Sequence, residues 1–460
     1  MSSNLDCANN EVNTKAASPY QVGTLRYSRF SLIIVFIWLL LGNFFFMLMT
    51  MTIPTLLPLS LKAMNASNMV IGLVVGSMPS LMNILINPII SVKSDRYRSR
   101  FGRRIPFILL GTPFLALFLI LIGYSDVIGE WLASNIFSSY SFSKIGLTLT
   151  LICIFAVCFH FFNLVVSSIY QYLIPDVVPE HFMGRFYAWF RVMGMLSGFL
   201  FYRYILGFSN THMKEIYLVI GIAYLICFLL MCRYIKEGQY QLPPERVKSK
   251  GFVDSVRRYL SECLCDPIYK WIFLGTTIFG IALIPLTTFL IFFPRDNLGM
   301  SLGEIGKING WSTLLIGCLL VPLGSISDKF HPLRIYILGI IVFVIGMAIS
   351  FFTIQDKSTY FIYSMITQAL FVLYIVSCGP MFILLVPKEK YGQFGSANAI
   401  INCVGLIIGN FLAGKFFDIM GSYRYQYIWV AFFGALSLIP MYFVYREWLQ
   451  RGGAKGYSPP

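Results

Sequence analysis

Twelve apolar stretches, each long enough to cross a bilayer, leave this 460-residue sequence few folds to choose from. A helical crossing takes about 20 mostly apolar residues. The stretches fall at about 31–53, 69–92, 105–123, 147–173, 185–207, 214–234, 268–293, 304–326, 333–353, 359–386, 393–417 and 425–446. Hydrophobic residues make up 57% of the chain and charged residues 12%, where a soluble domain carries about 25% charged. No water-soluble globule could bury so much apolar surface. The expected fold class is an all-α integral membrane protein of twelve transmembrane helices.

Six stretches precede a polar segment and six follow it. This gives a division into an N-terminal segment (1–30), a six-helix bundle (31–235), a linker (236–267), a second six-helix bundle (268–446) and a tail (447–460). In the linker, Phe252, Val256, Tyr259, Leu260 and Cys263 share one helical face with Arg257 and Arg258 turned away, the pattern of a helix lying in the membrane plane. An internal repeat supports the division. Asp95-Arg96 and Asp328-Lys329 follow corresponding stretches about half the chain apart, and PDVVPEHFMGRF and PKEKYGQF follow stretches 4 and 10. An even number of crossings separates the copies, so the bundles are parallel repeats, a recurring transporter plan with the site between them.

Sidedness follows from the 35 Lys and Arg residues. With the N-terminus cytoplasmic, 25 fall on the inner side and 9 on the outer, near or beyond the stretch ends, and Arg191 alone lies well inside a stretch. That bias obeys the positive-inside rule and predicts a multi-pass protein of the cell (inner) membrane with both termini cytoplasmic. The formal charge of +15 therefore marks topology and contact with membrane lipid, not nucleic acid. Residues 1–20 are polar and carry both signs, unlike a cleaved secretory signal. The ten cysteines form no CxxC pair and no Cys/His ligand spacing, so neither a disulfide framework, a metal site nor a cofactor is expected.

The loop after stretch 2, SDRYRSRFGRR, resembles the signature of the major facilitator superfamily. Its spacing is similar to that of the sucrose-transporter-like and glycoside/pentoside/hexuronide branch, as is IPDVVPEHFMGRF after stretch 4. The resemblance implies the major facilitator fold of two pseudo-symmetric bundles, alternating access, and a gating role for Asp95, Arg96, Arg100, Gly102, Arg103, Arg104, Asp176 and Arg185, with Asp328 and Lys329 as the second-half counterpart. It further implies that Asp95 contacts the other bundle when the outer side is open, and that the solute is a sugar or glycoside. Ser91 stands where the general motif has glycine, whereas Gly324 keeps that place in the second half. Independently of the family, a carboxylate at a helix end can bridge to arginines or cap a facing helix, at about 0.3–2 kcal/mol per contact.

Within the stretches polar groups are scarce. None of the 20 acids lies mid-stretch, although cation-coupled symporters use a membrane-embedded carboxylate to bind a proton or sodium ion. Whether such an ion is a coupling partner stays open. Arg191 sits about seven residues inside stretch 5, where it either snorkels or lines a cavity. His160 and Asn163 form, with Ser167 and Gln171, a polar stripe on stretch 4. Asn43, Gln368, Tyr374 and Asn398 are further candidates for solute contact, beside Asn83, Asn87 and Asn402. Amides, hydroxyls and aromatic faces together suit a polyol.

A secondary transporter or facilitator moving a small polar solute by rocking-bundle alternating access is the function expected. An organic-anion carrier using Arg191 and a solute sensor that binds without transport are the alternatives. The sequence lacks a GxxxxGK[ST] nucleotide loop, and its four histidines are scattered, so neither ATP drive nor an enzyme is expected.

Overall fold

The computed structural model describes residues 20–136, 143–238, 263–387 and 390–460. Helices occupy every predicted crossing. In the first half they are Arg29–Ala63, Asn68–Arg96, Ile105–Gly123, Lys144–Val177, Glu180–Leu200 and Met213–Tyr234. In the second half they are Pro267–Ala282, Leu302–Phe330, Pro332–Thr353, Lys357–Leu385, Tyr391–Met420 and Tyr423–Gln450. We number them spans 1 to 12. Among the described residues ten are long and apolar enough by themselves to cross a membrane. The other two are span 5, which carries Glu180, Arg185 and Arg191, and span 7, which stops at Ala282 just before Pro285.

The helices outrun the apolar stretches that announce them. Span 1 starts from a capping box on Ser28, with Ser31 as its reciprocal partner, and runs through Pro54 and Pro58 to Ala63. Proline is tolerated in a membrane helix because neighbouring groups re-satisfy the freed carbonyls. Span 8 starts from a second capping box, Ser301 with Glu304. A short helix that hydropathy alone does not reveal, Ser125–Asn135, follows span 3, and its Gly129 lies directly against Thr148 of span 4. The linker helix expected at Phe252 to Cys263 falls outside the described residues except at Cys263.

Each half has its own aromatic core. Tyr170, Tyr217, Tyr224 and Phe228 are enclosed in the first half, and Tyr269, Phe273, Phe279 and Tyr336 in the second. The halves meet along two lines, span 2 against span 11 and span 5 against span 8. Each line includes a widened π turn, at Gly72–Ser77 in span 2 and at Phe201–Ile205 in span 5. A π turn shifts the register and frees a carbonyl, which is why such turns gather where a helix has a task beyond packing.

Candidate functional site

The two contact lines are built of small residues at one end and fall apart at the other. On span 8 the stripe facing span 5 runs Gly303, Gly306, Gly310, Thr313, Gly317, Val321 and Gly324. Gly303 faces Gly207, Gly306 lies on the Tyr202 carbonyl, Gly310 faces Arg203 and Phe199, Thr313 lies near Gly198, and Gly317 meets the Met195 side chain. One turn further on, Val321 is 77% exposed and Gly324 has open space around it. On span 5 the matching positions Arg191 and Ala188 are exposed as well. The seam is closed from Gly207–Gly303 to Met195–Gly317 and open beyond it.

The second line closes at the same end. Gly414 packs on the Asn68 and Met69 backbone, Gly72 on the Asn410 carbonyl and Gly76 on the Asn410 side chain. Ser77 Oγ donates to the Ile407 carbonyl at 2.9 Å, and Asn83 Nδ2 reaches Cys403 Sγ at 3.6 Å. At the end of this line a carboxylate meets a helix N-terminus. The Asp418 carboxylate accepts from the backbone N–H groups of Asn68 and Met69, at 2.9 and 3.0 Å, so the end of span 11 caps the start of span 2. Tyr423 donates to Asn68 Oδ1, and Lys62 Nζ donates to the same atom at 3.1 Å. A carboxylate at a helix N-terminus is worth about 0.3–2 kcal/mol. Asp418→Asn should therefore shift the balance toward opening of this end by about 2- to 30-fold. Distance measurements between spin labels on the extramembrane ends of spans 2 and 11 read that shift, and unchanged distances would leave Asp418 with no part in closure.

At the open end the residues expected to gate form one network, although not all of them join it. Arg103 grips Asp176 with Nε at 3.0 Å and Nη2 at 2.6 Å. Arg104, almost fully buried, reaches Asp95 at 2.6 Å, Asp176 at 3.3 Å and Ser94 Oγ. Its guanidinium also lies over the Tyr172 ring at 5.2 Å. Glu237, beyond the end of span 6, closes the arrangement by accepting from the backbone N–H groups of Arg103, Arg104 and Ile105. Burial pushes the Glu237 carboxyl above the ordinary carboxylate range, while those three donors pull the other way. Gly102 has φ +107°, and a Cβ there would stand 2.5–2.8 Å from Glu237. Glycine is required on both counts.

Sequence reasoning misses Glu237 and Ser94, because a lone acid after span 6 and a serine beside Asp95 carry no pattern of their own. Arg96, Arg100 and Arg185 are exposed outside the network, with Arg100 over its neighbour Phe101. Asp328 and Lys329 are exposed too. Among the described residues the second half builds no equivalent there, and Arg334 instead lies over the Trp448 ring.

The expected solute contacts are dispersed along the interior. Asn43 is enclosed, with Nδ2 donating to the Phe190 carbonyl at 2.7 Å and Oδ1 left without a partner among the described residues. His160 is enclosed beside the freed Val74 carbonyl, and its Nε2 has no partner among the described residues. Asn163 Oδ1 is likewise unpartnered. Tyr374 is inserted among Phe279, Tyr336 and Phe371 of its own half. Asn398 Oδ1 accepts from Thr276 at 2.9 Å and from Asn402 at 3.1 Å, making a polar cluster between spans 7 and 11. Gln368 is half-buried with no hydrogen bond to a described residue. Arg191 is exposed and sits eleven residues from the start of span 5 at Glu180, about 16 Å along the helix axis at 1.5 Å per residue.

The Major Facilitator Superfamily matches residues 39–306 and 286–456. No curated protein sequence matches the chain. Among solved structures, a bacterial homologue of the human lysosomal transporter Spinster, in an inward-facing and unoccupied conformation, is similar at TM-score 0.70 and 13% identity, covering 94% of this chain and 100% of that one. A mutant form of the nucleoside transporter NupG is similar at TM-score 0.67 and 10% identity, over 89% of this chain and 100% of that one. A D-xylose–proton symporter is similar at TM-score 0.62 and 16% identity, over 90% of this chain and 97% of that one.

Proposed function

The chain belongs to the Major Facilitator Superfamily and is a multi-pass membrane transporter rather than an enzyme, and from that premise we propose that it moves a small hydroxyl-bearing solute, a sugar or glycoside, by rocking-bundle alternating access. One observation carries the reading: both helix pairs that join the halves are zipped at the same end and stand exposed at the other, at Val321 and Gly324 on span 8 and at Gly392, Ser396 and Ala399 past the Cys403 contact on span 11, so a cleft between the bundles reaches a single face. A carrier needs this asymmetry. The sugar or glycoside class rests on the loops SDRYRSRFGRR and IPDVVPEHFMGRF. The membrane is the cell (inner) membrane, and the bias of basic residues places the open end, with Asp95, in the cytoplasm.

In this reading Arg191, Gln368, Asn163 and the Asn398 cluster touch solute. Asn43, His160 and Tyr374, which are more enclosed, hold the walls in shape. Asp95, Arg103, Arg104, Asp176 and Gly102 form the hinge side of the cytoplasmic gate, while Arg96, Arg100, Arg185, Asp328 and Lys329 meet lipid headgroups or the opposite bundle as that gate closes. Transport is driven by the solute gradient or by a proton or sodium ion, and the same assay separates the three.

Proteoliposome uptake of a sugar panel, with and without pH and sodium gradients, is the direct test. It is paired with labelling of a cysteine placed by Val321→Cys in a cysteine-free background. We expect that cysteine to react with an impermeant thiol reagent from the cytoplasmic face, and to lose reactivity when solute drives the bundles over. Reaction from both faces at once, or no solute-dependent change, would remove the carrier reading.

A further inference from the structure

We infer that the transported solute carries a carboxylate or phosphate group and that Arg191 is the residue that holds it; the inference rests on the transporter reading above and narrows its substrate to a sugar acid or sugar phosphate. The direction of the side chain comes from span 5 itself. Gly194 faces Asn43 and Met47 of span 1, while Met195 faces Gly317 of span 8. At 100° per residue Arg191 points between those two directions, toward the space enclosed by spans 1, 5 and 8. The lipid-facing side is marked by Trp189 and Leu196, 61% and 41% exposed, and Arg191 points well away from both.

Its level along the cleft is equally defined. Arg191 is the first position past the last contact of the seam, one turn from Met195 and level with the exposed Val321. Among the described residues it has no ion pair and no hydrogen-bond partner. Span 1 holds no acid, and the acids nearest along spans 5 and 8 are Glu180 and Asp328. They are about 16 Å and about 10 Å away along the helix axes. The cleft therefore holds a cation that the described residues do not neutralise.

Alternating access gives that cation its consequence. While the cleft is open, water solvates the guanidinium. When the bundles close on a bound solute, the water leaves and the charge needs a partner. A neutral sugar leaves it unpaired at that step. A carboxylate or phosphate meets the guanidinium fork with two parallel charge-assisted hydrogen bonds. The sugar frame can then bond to the amides of Gln368 and the Asn398 cluster.

The test uses glucose, glucuronate and glucose 6-phosphate as matched probes, with wild type, Arg191→Lys and Arg191→Gln. Binding is read as thermal stabilisation of the purified protein, and transport as counterflow in vesicles. Neutral detergent and phosphatidylcholine vesicles exclude anionic lipid as the occupant. Glucuronate or glucose 6-phosphate should stabilise the wild type at concentrations where glucose does nothing. Arg191→Gln should raise the half-saturating concentration by about 10- to 150-fold, and Arg191→Lys by less. Equal responses to glucose and the anions, an anion response that survives Arg191→Gln, or no response to either anion would each overturn the inference. Counterflow of glucose unchanged in Arg191→Gln would overturn it while leaving the transporter standing. Anion stabilisation without counterflow would instead strike the transporter reading.

Discussion

Gly306→Val should abolish transport while leaving the protein inserted and folded. The Tyr202 carbonyl, within the π turn at Phe201–Ile205, lies where a Cβ on Gly306 would have to go. A flexible side chain could swing aside, but a backbone oxygen cannot, so spans 5 and 8 must separate. Overpacking of this kind costs about 1–3 kcal/mol, and with rigid backbone on both sides the upper part of that range applies. The closed arrangement of this end would be disfavoured by about 30- to 150-fold. Cysteines introduced along the seam should become reactive from the opposite face, and uptake should fall in proportion. Uptake at the wild-type rate would show that closure at Gly306 is not required in the cycle. Gly306→Ala is the milder companion: it meets the same oxygen, with less bulk to clear.

Asp176→Ala is expected to be the most destabilising single change at the open end. Asp176 holds Arg103 through two bonds and Arg104 through a third, and all three side chains are largely buried. Removing one partner of a buried pair costs about 3–5 kcal/mol, because the remaining charge stays desolvated. The thermal midpoint in detergent should drop clearly, with transport lost alongside. Replacing Arg185 by Ala, one loop away but exposed, should leave the midpoint where it was, as surface charges contribute little. Equal midpoints for Asp176→Ala and wild type would mean that the network does not hold spans 2, 3 and 4 together.

The positions of the crossings were legible in the sequence because hydropathy along a chain reports the solvent directly. All twelve appear where the apolar stretches lie, and span 3 begins and ends at the residues expected. Helix ends were less legible. Backbone hydrogen bonding continues past the apolar stretch for as long as caps and neighbours allow, as at Ser28, Pro54 and Ala63 in span 1. Asp95, Arg103, Arg104 and Asp176 could be named from their motifs, but Glu237 could not, since a lone acid after span 6 carries no pattern. Arg191 stood out as the one basic residue well inside an apolar stretch, yet its direction depends on which neighbours flank span 5.

Composition, periodicity and charge bias by themselves determined a twelve-helix membrane protein of two repeated halves with basic residues concentrated on one side. Those properties follow from each residue's own transfer energy and need no knowledge of its neighbours. Only the tertiary structure decided that the halves close through Gly306, Gly414 and Asp418 at one end and part at Arg191 and Val321 toward the other. Residues hundreds of positions apart decide that outcome by fitting backbone against backbone within a few tenths of an ångström. A one-dimensional pattern does not encode such a fit.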